Sequence, residues 1–170
     1  MVTTRLIDPR DAEVLARLLT ENRDFLAPYE PLREESYFTP DGQRADIDAA
    51  LNTHRQAANL PHVILDETGA VIGRITLSGI VRGALQSGSV GYWVAQAAGG
   101  RGAGTAAVTR MTQLAFKELA LHRVQAETLV DNVRSQRVLE KVGFTRYGLA
   151  PEYLKIAGRW QDFVMCQLLS

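Results

Sequence analysis

The chain has 170 residues, of which 46% are hydrophobic and 22% charged, and its 19 basic and 19 acidic side chains cancel to a formal net charge of zero. That composition describes one globular domain, residues 1–170, with a real core; it excludes a disordered chain and, with no apolar run near the roughly 20 residues a spanning helix needs, a membrane-spanning one. The absence of a basic stripe argues against direct nucleic-acid binding, and a lone Cys166 with no basic-plus-apolar leader points to the reducing cytoplasm.

In chain order, Arg5-Leu6-Ile7 reads as a strand stopped by Asp8-Pro9. Asp8 is placed to cap a helix from Pro9, with Ala12, Leu15, Ala16 and Leu19 on one face. Phe25 to Pro40 is irregular and carries Phe25, Tyr29, Tyr37 and Phe38, and Asp41 is expected to cap a second helix from about Gly42 to Ala58. Strands follow at His62–Leu65 and Val71–Leu77, and a loop through Ser87-Gly88 leads into a third at Val90–Val94, which makes an antiparallel meander. After a glycine-rich loop, helical spacing runs from Thr105 to near Leu121; a strand at Val124–Leu129 leads to a helix capped by Asp131 or Asn132 and closed by Gly143. Thr145–Ile156 and Trp160–Leu169 form a closing hairpin that turns at Ala157-Gly158. The order of elements predicts a mixed sheet with helices on both faces.

The glycine-rich loop is where chemistry is expected. Glycines at 99, 100, 102 and 104 are too dense for a strand or helix interior, and a turn without a ligand needs only one or two. A loop of this kind feeding a helix N-terminus leaves backbone N–H groups unpartnered and adds the partial positive charge of the helix dipole, so it binds phosphate. Gly102-Ala103-Gly104-Thr105-Ala106-Ala107 also fits the dinucleotide pattern G-x-G-x-x-A, with Glu127 at a suitable distance, but the chain after Glu127 is too short for the second mononucleotide-binding half.

Gly99-Gly100-Arg101-Gly102-Ala103-Gly104 resembles the Q/R-x-x-G-x-G/A pyrophosphate loop of the GCN5-related N-acetyltransferases (GNAT). Asp131 to Phe144 is similar to their second signature, N-x-x-S-x-x-x-x-E-K-x-G-F, through Asn132, Ser135, Glu140, Lys141, Gly143 and Phe144. Asn22 to Pro31 and Gly158 to Asp162 resemble the branch that acetylates ribosomal-protein N-termini, the RimJ/RimL type. The resemblance implies a GNAT fold: a largely antiparallel sheet in which one parallel strand pair splays apart. Acetyl-coenzyme A is then expected in the gap, its arm on the main chain of Tyr92 and Val94. The diphosphate is expected on Gly100, Arg101, Gly102, Ala103, Gly104 and Thr105, and Asn132 and Ser135 are expected beside the pantetheine. No metal is implied. Gly99 stands where the family usually has Gln or Arg, so that side chain's contact is missing.

The resemblance further implies direct attack of an amine on the thioester, with Glu127 as general base, Ser135 on the thiol side and Glu152 as a second base candidate. Many members have a tyrosine acid where this chain has Leu139. Phe25, Tyr29, Tyr37 and Trp160 are candidate acceptor contacts. Freeing a lysine amine at pH 7 costs about 4.6 kcal/mol and freeing an α-amine only about 1 kcal/mol, so a site with a weak base suits an N-terminal acceptor. The expected partner is a protein or peptide N-terminus. A polyamine, amino sugar or antibiotic, a non-catalytic acyl-coenzyme A-binding module, and a homodimer built on the terminal strands stay open.

Overall fold

The computed structural model describes all 170 residues. Seven strands form one sheet in the order β1-β2-β3-β4-β5-β7-β6. They span Thr3–Leu6 (β1), Leu60–Leu65 (β2), Val71–Val81 (β3), Ser87–Val94 (β4), Arg123–Leu129 (β5), Thr145–Ile156 (β6) and Arg159–Leu169 (β7). Every pairing is antiparallel except β4 with β5.

Five helices, Ala12–Glu21 (α1), Arg23–Leu26 (α2), Pro40–Arg55 (α3), Ala103–Lys117 (α4) and Val133–Val142 (α5), cover the two faces. Strand alternation explains the division, because neighbouring residues point to opposite faces. Ile64, Val90, Val124 and Ala126 join the main core under α4 and α5, with Met111, Leu139 and Phe144. Val63 and Trp93 face the other way, into a smaller core with Ile7, Leu15 and Ile47 under α1 and α3. Leu129, Ile156 and Phe163 make a third cluster beneath the β6–β7 hairpin.

Several boundaries differ from the sequence reading for local reasons. Asp8 caps as expected, but its first turn, Pro9–Asp11, is 3-10, and the α-helix proper starts at Ala12. Thr39, not Asp41, caps α3: its hydroxyl accepts from the Gly42 N–H at 3.1 Å, with Pro40 in the first turn, where a missing N–H costs nothing. The connection from Phe25 to Pro40 holds short helical turns at Ala27–Tyr29 and Glu35–Phe38. Ser87-Gly88 belongs to β4 rather than to a loop, and α4 begins two residues before Thr105 and ends before Leu121. At the end of α5, Gly143 takes φ +104°, and the Phe144 N–H closes on the Leu139 carbonyl at 3.0 Å, a Schellman ending that turns Phe144 into the main core.

Candidate active site

The parallel ladder between β4 and β5 has three rungs, Ser87–Arg123, Gly88–Val124 and Ser89–Gln125, and then stops. Beyond them the strands diverge, while β4 stays paired to β3 as far as Val94 opposite Gly73. The Ala95 N–H donates to the Ile72 carbonyl at 2.8 Å. In an antiparallel pair this makes Val94–Gly73 a pair that exchanges no bonds, so the N–H and C=O of Val94, and by alternation those of Tyr92, point away from β3 into the gap. The middle of the sheet therefore holds a strip of strand-like hydrogen-bonding groups with no strand beside it. The cleft around this strip has a volume of about 980 Å³.

Behind the strip lies the glycine loop. Gly102 stands at φ +83°, an L-residue's strained region, and turns the chain into α4. The Gly99 N–H is used by the Gln96 carbonyl, but those of Gly100, Arg101, Gly102, Ala103, Gly104 and Thr105 find no acceptor in the protein. Six unpartnered amides at a helix N-terminus are an arrangement suited to an anion. Arg134, Arg137 and Lys141 line the same cleft from one face of α5 and add mobile positive charge.

Toward α5, Asn132 caps the helix by accepting the Ser135 N–H on its side-chain oxygen at 3.1 Å, which leaves its amide nitrogen for the cleft it lines. The Tyr92 phenol lies 2.9 Å from the Ser135 hydroxyl, and burial pushes that phenol above its ordinary range, with the Ser135 contact opposing. Thr128 lines the cleft on the same face of β5 as Ala126; it is 4% exposed, and its hydroxyl has no partner. An orphaned buried hydroxyl costs about 1–3 kcal/mol.

The opposite face carries charge. Glu127 alternates with Leu129 onto the α1/α3 side, where the Ser89 hydroxyl donates to its carboxylate at 2.6 Å. Glu30, Arg33 and Tyr37 from the long connection, Asp46 from α3 and Arg74 from β3 line the same end of the cleft. Arg74 and Asp46 are ion-paired, and Arg33 sits 4.4 Å from the Tyr37 ring centre. Burial raises Glu30 above the usual carboxylate range, partly offset by Arg33, and burial also raises Tyr37, helped by the charge of Glu30. The Glu30 carbonyl accepts the Ala157 N–H at 2.9 Å, which ties this wall to the tip of the β6–β7 hairpin. Asn22, buried at the end of α1, accepts the Gln96 N–H at 2.8 Å and so fastens the same wall to the residues that lead into the glycine loop.

Residues 2–145 match the family model described as an acetyltransferase (GNAT) domain. The chain belongs to the GNAT acetyltransferases. Among relatives, the [ribosomal protein uS5]-alanine N-acetyltransferase of Escherichia coli is 33% identical over 170 residues, covering 99% of this chain and 88% of the relative. Mycobacterium smegmatis RimJ in complex with CoA-disulfide superposes with a TM-score of 0.96 at 30% identity, over 99% of this chain and 82% of that one. The alanine acetyltransferase for a ribosomal protein from Vibrio fischeri gives a TM-score of 0.93 at 32% identity, over 99% and 92% of the two chains. No helix of this GNAT chain is long and apolar enough to cross a membrane, and no group of three or more His, Cys, Asp or Glu side chains is arranged to hold a metal ion.

Most of the residues singled out in the sequence come together in this acetyltransferase. Tyr92, Val94, Gly100, Gly102, Ala103, Gly104, Thr105, Glu127, Asn132 and Ser135 all line the cleft, as do Phe25, Tyr29 and Tyr37. Three side chains do not. Arg101 folds its guanidinium back onto the Ala97 carbonyl, so only its backbone amide belongs to the anion site. Glu152 does not line the cleft; it sits in a bulge of β6, at φ +45°, with its N–H on the Asp162 carboxylate. Trp160 is 61% exposed just past the hairpin tip and does not line the cleft. The sequence reading missed the Tyr92 phenol, Thr128 and, in the acceptor wall, Glu30, Arg33, Asp46 and Arg74. It also missed the Arg134, Arg137, Lys141 face, although its i, i+3, i+7 spacing was readable.

Proposed function

We propose that this acetyltransferase moves the acetyl group of acetyl-coenzyme A onto the N-terminal α-amine of a protein, a ribosomal protein being the class its relatives indicate. The observation that carries the donor half is the half-open seam: main-chain groups of Tyr92 and Val94 facing an empty strand position, with six free amides behind them. An arm bearing amides and ending in a diphosphate matches both features in order. The thioester supplies an activated acetyl group. Backbone donors on β4 would hold its carbonyl oxygen and then the oxyanion formed when nitrogen attacks, and they are already in place before the charge develops.

On the acceptor side, Glu127 with its Ser89 hydrogen bond would accept the amine's proton, directly or through one water. The modest cost of freeing an α-amine asks little of that base. Arg33 and Arg74 balance the carboxylates of Glu30 and Asp46, so this wall suits one ammonium attached to a peptide chain better than a polyamine. The compartment we assign is the cytoplasm, and a homodimer through the terminal strands is the assembly we carry forward.

The test is thiol release from acetyl-coenzyme A with hexapeptides beginning in alanine or serine, run against spermidine and glucosamine. Peptides are expected to turn over at least ten times faster by kcat/KM. Faster turnover of either small amine would overturn the acceptor assignment, and mass spectrometry of the peptide would place the acetyl group on its N-terminus.

A further inference from the structure

We propose that the Tyr92 phenol and the Ser135 hydroxyl form a two-hydroxyl donor chain to the departing sulfur, with Tyr92 acting through Ser135 as a positioning residue. The inference rests on the acetyl-coenzyme A reading above and is independent of which amine is the acceptor.

The need arises at Leu139. This residue is 1% exposed and packed into the main core, so α5 offers no phenol there. A lone serine hydroxyl is a poor substitute, since it rotates freely and can as easily accept a hydrogen bond as donate one. Two contacts remove that freedom. The Asn132 cap accepts the Ser135 N–H and fixes the first turn of α5, and the Tyr92 phenol, reaching over from β4, stands 2.9 Å from the Ser135 oxygen. The Tyr92 ring is itself held. Its edge lies 3.4 Å from where a Cβ on Gly104 would be, with Val138 on the same side, so the small residue of the phosphate loop makes room for the ring against α4. Either hydroxyl could donate across this 2.9 Å contact; in the proposed chain the Tyr92 O–H donates to the Ser135 oxygen, which leaves the Ser135 proton for the cleft that Ser135 lines.

The nitrogen lone pair forms the N–C bond, and the nitrogen's proton leaves on the Glu127 side. The C–S bond breaks with its electron pair on sulfur. The Ser135 O–H donates a hydrogen bond to that sulfur anion, and the Tyr92 O–H donates to Ser135. Neither hydroxyl gives up its proton, and the thiolate is protonated by water as coenzyme A leaves.

The thiolate absorbance of bound coenzyme A, read as a difference against ligand-free protein so that Cys166 cancels, tests this without any acceptor. In the wild type the bound thiol is expected to titrate about one pH unit below free coenzyme A. Ser135→Ala should abolish the shift, Tyr92→Phe should remove about half of it, and the double variant should match Ser135→Ala. In turnover, Tyr92→Phe should lower kcat about tenfold, leaving the KM for acetyl-coenzyme A within twofold and the melting temperature within a few degrees. A Tyr92→Phe thiol that titrates like the wild type, effects that add in the double variant, or a loss confined to KM or melting temperature would each overturn the chain and leave Tyr92 as a cross-brace. If peptides are not acetylated while the thiol shift follows this pattern, only the acceptor assignment falls. A wild type that binds no coenzyme A removes the donor assignment and this inference together.

Discussion

The two sides of the cleft are built in opposite ways. The donor side is mostly backbone and comes from two continuous stretches, Tyr92 to Thr105 and Asn132 to Phe144. The acceptor side is mostly charged side chain, drawn from four separate places: Glu30 and Tyr37, Asp46, Arg74, and Glu127. A site that must recognise an invariant ligand is served by main-chain groups, whose position depends on the fold and not on side-chain identity. Side chains can change without disturbing the sheet, and they suit the partner that varies.

The sharpest way to break this contrast is Gly102→Val. The protein leaves open space at that Cβ, so the damage comes from φ +83°, about 1–2 kcal/mol for an L-residue, and from a branched side chain among the free amides. Coenzyme A affinity is expected to fall more than 100-fold by calorimetry; a loss under tenfold would mean the amides are not the diphosphate site. Glu127→Gln should act on the other side alone, lowering kcat about 50-fold with unchanged coenzyme A affinity. Weakened coenzyme A binding in that variant would deny the separation. Asn22→Ala removes the bond that joins the two sides and strands the Gln96 N–H, for about 1.5 kcal/mol in urea unfolding. Both substrates' KM values should rise together in this variant, unlike the first two. The smallest effect is expected from Glu30. Its raised titration means that, as pH falls into the mildly acidic range, it takes up a proton before an ordinary carboxylate would and stops attracting an ammonium. Peptide KM should therefore rise a few-fold on acidification in the wild type and stay flat in Glu30→Gln.

The same contrast explains what could be read from the sequence. The glycine loop and the helix after Asn132 are local patterns whose geometry follows from backbone rules, so their elements were legible in the sequence. Their exact starts were not: Thr39-Pro40 and Asp41 both carry helix-start signals, and only the hydrogen bond to Gly42 decides between them. The acceptor wall depends on strand register and on how a 14-residue connection, Phe25 to Phe38, folds over the sheet, and no local spacing encodes either. Tyr92 is an intermediate case. Alternation along β4 fixes the face its ring occupies, but its partner lies 43 residues later in the chain and is identified only by packing. Glu152 and Trp160 looked suitable by position in the hairpin, but the register shift between Ala150 and Leu154, at which Glu152 sits, is not encoded in local spacing.

The short β4–β5 ladder also acts as a gauge for the acyl carrier. Polar groups along β4 that face the gap recur at every second residue, about 6.6 Å apart at the usual strand rise, so an extended carrier with amides of its own can pair with them. A simple thioester without those amides carries the same acetyl group and the same reactivity, but it would leave the β4 groups unmatched in the middle of the sheet. Donor choice is thereby made along the carrier's length, several ångströms from the bond that breaks.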